Sequence, residues 1–239
     1  MPPPIQSLSR AAAVLRLFAT GTGRFGLSDT AAALDLPKST VHGILHALEQ
    51  EGLVEHDTSS GTYGLGPELV RLGGSWLRGH ELRARALAWA DDLARVTGEA
   101  VHVGVPHPSG VLIVHHIVRR DRARQVLETG RVVPARGTAL GTALTTPSSQ
   151  PAAGTSAASS GLLRAARQRG WVCLPDRVRD GMVSIAAPVH GRNRGTVAAV
   201  SVSAVAARIH EDATVRDRLV SSLRACARAI SHDLGAAHP

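Results

Sequence analysis

Leu36-Pro37-Lys38-Ser39-Thr40-Val41-His42-Gly43-Ile44-Leu45-His46-Ala47-Leu48 is the stretch on which the fold turns. Val41, Ile44, Leu45 and Leu48 fall at i, i+3, i+4 and i+7, one face of a helix, and that face must meet a core. Ser39, His42, Gly43 and His46 repeat the spacing on the opposite face, which is small and polar. The pattern predicts a helix over roughly 38–51, with Gly52 as its stop. Upstream, Asp35-Leu36-Pro37 reads as a tight connection, with Pro37 where a first helical turn tolerates it. Before it lies a short alanine-rich helix, about 28–34, for which Ser28 suits the N-cap and Asp29 the positive end. Earlier still, Ala11, Val14, Leu15 and Phe18 mark a helix from Ser7 to about Ala19, closed by Gly21-Thr22-Gly23. Downstream, Leu53–His56, the turn Asp57–Gly61 and Thr62–Leu65 read as a β-hairpin. Three helices followed by a hairpin form a winged helix-turn-helix, whose third helix lies in the major groove of DNA. The alternative is a small three-helix bundle with an appended hairpin.

Residues 66–97 read as helical, with a break at Gly73-Gly74 after Leu69 and Leu72. A second apolar stripe follows at Leu82, Ala86, Trp89 and Leu93; it serves either dimerisation or packing within the chain. From residue 99 the texture changes. Val101–Val105 and Val111–Val118 alternate as strands around the turn Pro106–Gly110. A helix is expected from Thr138 to about Leu144, and the low-complexity run 146–160 as a loop. A helix over 161–169, strands over about 183–190 and 196–203, and a last helix over about 210–234 complete an α+β domain. The expected organisation is a DNA-binding domain over 1–66, linker helices over 67–98 and a sensor domain over 99–239.

Composition narrows the classes of function. The chain has 239 residues and a formal net charge of +8. Residues 1–98 nevertheless carry nine Lys and Arg against ten Asp and Glu, and residues 99–239 carry eighteen against nine. The surplus lies outside the helix-turn-helix, so net charge alone does not argue for DNA binding. Lys38, the one lysine, begins the third helix. No run of eighteen apolar residues predicts a membrane span, and the start lacks the pattern of a secretory signal. Two cysteines, Cys173 and Cys226, make neither a disulfide framework nor a metal cluster, so a reduced cytoplasmic protein is expected.

On the DNA side the candidate residues are Lys38, Ser39, Thr40, His42 and His46, with Arg10 as a further backbone contact. Hydroxyls near a helix N-terminus bond phosphates or base edges, and a lysine neutralises a phosphate. The competing reading is an ordinary solvated helix face. In the sensor half, Ser201 and Ser203 alternate with Val200 and Val202, so both point to one face of a strand beside Ser184-Ile185-Ala186-Ala187-Pro188. Hydroxyls on one wall of an apolar pocket fix a small polar ligand; otherwise the serines are simply tolerated there. His115-His116 suggests metal chemistry, but adjacent strand residues point to opposite faces and cannot chelate one ion together. No metal-ligand spacing, nucleophile elbow or phosphate loop is found. No catalytic residue, metal or cofactor is therefore expected.

Taken in order, these segments resemble the IclR family of bacterial regulators across nearly the whole chain. The resemblance rests on Ile5–Ala11, Leu36–His42, Glu51–Val54, Tyr63–Gly66, Thr138–Gly141 and Ser184–Val189. His80–Leu87 and Gly110–His116 bring it nearest to the glycerol-operon group. The resemblance implies a homodimer or dimer of dimers on double-stranded operator DNA, repressing a catabolic operon, and a GAF-like (profilin-like) effector domain. By position the effector site falls at Ala139, Leu140, Ser184, Ser201 and Ser203, with glycerol or glycerol 3-phosphate as candidate ligand. Three departures stand out. Gly43 replaces an arginine common in the family, Leu174 falls where an acidic ligand contact is expected, and 146–160 is shortened where helix is usual. The rival function is a ligand-binding or interaction module with vestigial DNA binding.

Overall fold

Helices α1 (Gln6–Phe18), α2 (Leu27–Leu34) and α3 (Lys38–Gln50) turn their apolar stripes onto one core. Val14, Phe18, Ala31, Val41, Leu45 and Leu48 meet Val54 of β2 (Val54–Asp57) there, and Ile44 packs at the edge. The computed structural model describes residues 5–20, 23–79, 81–118, 128–145, 157–176 and 180–236. It divides into two compact units, Met1–Gly79 and His80–Pro239.

In the first unit the connection between α2 and α3 is as tight as Asp35-Leu36-Pro37 suggested. Asp35 closes α2 in the left-handed region at φ 52°, a conformation that aspartate tolerates better than most residues. Leu36 N–H then donates to Ala31 O at 3.0 Å. At the far end of α3, Gly52 takes φ +67°, and Leu53 N–H reaches back to Leu48 O at 2.9 Å. This is the helix stop that glycine makes without steric cost. β2 pairs antiparallel with β3 (Thr62–Leu65), and β1 (Arg24–Gly26) adds on the other side of β3. Phe25 of β1 stacks on Phe18, with ring centroids 5.7 Å apart.

Two expectations in this unit need correction. Ser28 is not an N-cap, because α2 already begins at Leu27 with Gly26 in the capping position; Thr30 Oγ1 donates to Gly26 O instead. Nor does the chain break at Gly73-Gly74, since α4 (Glu68–Gly79) runs through both. Glycine weakens a helix by only about 1 kcal/mol per residue, which neighbouring turns absorb.

The second unit is a six-stranded antiparallel sheet with helices on it. Its order is β6 (Val132–Val133), β5 (Gly110–Ile117), β4 (Ala100–His107), β9 (Thr196–Val205), β8 (Met182–His190), β7 (Val172–Pro175). Helix α5 (Glu81–Thr97) and the long α9 (Ala213–Asp233) pack against each other and against the central strands. α6 (Ala139–Thr145) lies against β8 and β9, where Leu140 and Ala143 meet Ala186 and Ala199. The buried stripe of α5 is Leu82, Ala86, Ala90, Leu93 and Ala94. Trp89, expected in that stripe, is 40% exposed; its indole Nε1 donates to Asp233 Oδ2 at 2.8 Å.

The last helix is also divided. α8 (Ala206–Glu211) ends before Asp212, whose carboxylate caps α9 by accepting from the amides of Thr214 and Val215. Residues 157–160, read as loop, belong to α7 (Ala157–Arg169). The remainder of that low-complexity run lies outside the described residues.

Candidate functional site

The exposed face of α3 gathers most of the residues singled out for DNA. Lys38, Ser39, His42, Gly43 and His46 are exposed, Thr40 is half-buried, and Val41, Leu45 and Leu48 face the core. Pro37 stands at the N-cap position and no side chain caps the helix. The first amides of α3 are therefore left to outside acceptors, and helix N-termini of this kind suit phosphate oxygens. Lys38 and Ser39 stand at that end. His46 Nε2 lies 3.2 Å from Gln50 Nε2 one turn on, which orients its ring along the face. Arg10 sits apart on α1, half-buried.

Beside this helix, the β2–β3 hairpin is ordered by its own turn. Asp57 Oδ1 accepts from Ser59 N at 3.0 Å and from Ser59 Oγ at 2.6 Å, while Oδ2 accepts from Ser60 Oγ at 2.9 Å. These bonds, those from the serine side chains foremost, hold the Asp57 carboxyl down at about 2. His56 and Tyr63 stack across the strands at 4.2 Å.

In the second unit, all five effector candidates line one cavity of about 320 Å³. Ala139 and Leu140 come from α6, Ser184 from β8, and Ser201 and Ser203 from β9. Strand pairing sets Ser184 opposite Ser203, and their hydroxyl oxygens are 3.0 Å apart. Ser201 and Ser203 share a face as the alternation required, and both are buried.

Sequence reasoning missed the four ionisable groups of this cavity, His102, Glu128, Arg131 and Asp176, and the hydroxyl residue Thr138. Asp176 follows β7, and its Oδ2 accepts from Ser184 Oγ at 3.5 Å. Leu174, which the family resemblance placed at an acidic ligand contact, instead packs on the apolar cluster around α6. The acidic group of this wall is Asp176, two residues on and therefore on the same face of an extended chain.

His102 was hidden because its partners come from other strands. It pairs with Ser201 on one side and with His116 on the other. The His102 and His116 rings stack at 4.4 Å with 8° between their planes. His102 Nε2 is 2.8 Å from Glu128 Oε2, and the Glu128 amide donates to His116 Nδ1 at 3.1 Å. Arg131 Nη1 donates to the other carboxylate oxygen at 2.7 Å. His115 points the other way, towards Asp91 at 3.4 Å; burial foremost lowers its pKa. The two adjacent histidines do part, as the strand geometry demanded. The one that turns inward, however, joins a cluster that local spacing could not reveal.

Neither cysteine is poised for chemistry. Burial raises the Cys226 thiol to about 12 and raises Cys173 as well. Among the described residues, no helix is long and apolar enough to cross a membrane.

Comparison with known proteins gives a consistent picture. The model of the IclR helix-turn-helix domain matches residues 7–58. The model of the bacterial transcriptional regulator IclR C-terminal domain matches residues 74–158 and 160–232. The chain is 48% identical to the glycerol operon regulatory protein of Streptomyces coelicolor, over 97% of each chain. It is 47% identical to the glycerol operon regulatory protein of Streptomyces griseus, again over 97% of each. An IclR transcriptional regulator from Alicyclobacillus acidocaldarius superposes with a TM-score of 0.84 at 23% identity, covering 98% of this chain and all of that one (100%).

Proposed function

The chain belongs to the IclR family of bacterial transcriptional regulators, and from that premise we propose that it represses a glycerol-utilisation operon and is released from its operator by a small polyol. It is a transcriptional regulator with a DNA-binding helix-turn-helix and an effector-binding domain. The observation that carries the finer reading is the likeness, along nearly the full chain, to two glycerol operon regulators. The chemistry of the cavity is compatible with it. Three serine hydroxyls and two carboxylates suit the hydroxyls of a triol, and the apolar wall of Ile113, Val133 and Leu140 suits its carbon backbone. Glu128 and Asp176 disfavour an anion, and Arg131 is already bonded to Glu128. The neutral triol is therefore the expected ligand, ahead of its phosphate ester.

On the DNA side, Lys38, Ser39, Thr40, His42 and His46 carry the recognition face, with Arg10 as an outlying backbone contact. A homodimer places two such helices in successive major grooves, about 34 Å apart. The exposed apolar side chains Val70, Leu72 and Trp76 on α4, with Leu8 on α1 and Ile5 just before it, are the surfaces such a dimer would cover. Effector binding favours one dimer arrangement over another, and operator affinity follows that population. Operator and metabolite both place the protein in the cytoplasm.

Calorimetric titration of the protein in EDTA with glycerol and glycerol 3-phosphate tests the reading. Glycerol heat that is lost in Ser184→Ala and Ser203→Ala is expected. Binding of neither compound, or binding unchanged in both variants, would remove the cavity from the account.

A further inference from the structure

The cluster behind the serine wall has a chemistry of its own. His102, His116 and Glu128 are all buried, at 4%, 6% and 8% exposure. One ligand-capable atom from each lies within 4.8 Å of the others. Two imidazoles and a carboxylate at such separations are a donor set for a divalent transition ion of the zinc class, which takes three protein ligands and leaves a fourth position open. We infer that His102, His116 and Glu128 bind such an ion, with its open position facing the cavity.

Three features argue for it beyond proximity. The strand pairing sets His102 opposite His116 on one face of the sheet, so the two imidazoles are neighbours by register and not by loop geometry, and a turn of one ring out of their stacked arrangement lets both nitrogens meet one ion. The Glu128 carboxylate already bonds His102 through one oxygen and Arg131 through the other, an arrangement that orients a ligating carboxylate from its outer side. His102 and Glu128 also line the cavity, so water or a ligand oxygen can complete the coordination. Entry of the ion displaces the proton between His102 and Glu128 to solvent. Bonds of about 2.1 Å then draw the ligand atoms closer together. A bound dication offsets the charge of Glu128 and so changes which ligand the cavity prefers. The metal site itself is independent of the effector reading.

The test uses full-length protein without a histidine tag, stripped with EDTA and dialysed, then titrated with Co²⁺ and with Zn²⁺. One equivalent per chain is expected, with the visible absorption of four- or five-coordinate Co²⁺, and an affinity at least tenfold weaker in His102→Gln and in His116→Gln. Absence of the visible bands, or the same affinity in both variants, overturns the proposal, because surface histidines would then hold the ion. Circular dichroism establishes that the variants fold. Should they not, X-ray absorption at the zinc edge of the wild-type protein decides: two imidazoles in the coordination shell support the site, and one or none refutes it.

Discussion

A methyl group added at Gly141 would lie 1.9 Å from the Ala135 carbonyl oxygen and 2.5 Å from the Ala135 carbonyl carbon and Cα. These are backbone atoms, so no side-chain rotation relieves the overlap. The segment must retreat by about 1 Å, and overpacking of this kind costs about 1–3 kcal/mol. Alanine recovers at most about 1 kcal/mol of that as a better helix former than glycine. A clash this close with backbone puts the cost in the upper half of that range, so a net loss of about 1–2 kcal/mol is expected, a fall of roughly 3–6 °C in the melting of the second unit. Function should suffer as well. Val133, Pro134 and Thr138 precede α6 and line the cavity together with Ala139 and Leu140, so the displaced carbonyl sits in the cavity's own frame. Gly141→Ala should weaken effector binding about tenfold or more, since about 1.4 kcal/mol of misfit suffices. Operator affinity without effector should hold within about twofold of the wild type, because the helix-turn-helix is a separate compact unit. Differential scanning calorimetry and ligand titration read both effects. An unchanged or raised melting temperature with full effector affinity would refute the claim that this close approach shapes the site.

Three further outcomes follow from the first unit. Lys38→Ala should weaken operator binding across all sequences and flatten the dependence of log K on log salt by about one unit, measured by anisotropy titrations; an unchanged slope would move Lys38 off the DNA. Gly43 has nothing within 4 Å of the position a Cβ would take, so Gly43→Ala should stabilise the helix-turn-helix by up to about 1 kcal/mol in urea denaturation, and destabilisation would show that the face is not open. Asp57, held down at about 2 in the folded turn, ionises in the unfolded chain near about 3.9. Its folded value is depressed, so its support for the turn is complete above the unfolded value and disappears as pH falls through the folded one. The Ser59 and Ser60 amide resonances should stay constant from neutral pH down to about 4 and move only below it, whereas in Asp57→Asn they should differ at every pH.

Much of the first unit could be read from the sequence because its signals are local. Helical spacing from Val41 to Leu48, a tight connection at Asp35-Leu36-Pro37 and a stop at Gly52 each involve residues within one or two turns of each other. Phe25 carried no such signal, since a three-residue strand has no alternation to detect, and β1 went unseen. The same limit hid the two-residue β6, while β7 lacked the close turn partner that made the equally short β2 and β3 legible as a hairpin. In the second unit the serines were legible from alternation alone, because period two fixes which face Ser201 and Ser203 share. The other wall was not. His102 and His116 are fourteen positions apart in number and become neighbours only through the β4–β5 register, and Glu128 joins them from beyond the end of β5. Asp176 was overlooked for a related reason. The family resemblance pointed to Leu174, one strand repeat away, and only the folded strand shows that Asp176 is the one that lines the cavity.

Glycerol-sensitive operator binding is tested by fluorescence anisotropy of the purified protein on labelled DNA from upstream of its own gene and the neighbouring operon, against scrambled DNA, at two salt concentrations, with and without glycerol. Binding should be at least a hundredfold tighter to one native segment than to scrambled DNA, and weakened at least tenfold by glycerol. Equal affinity for native and scrambled DNA, whatever the ligand, would contradict it and leave the helix-turn-helix without its function.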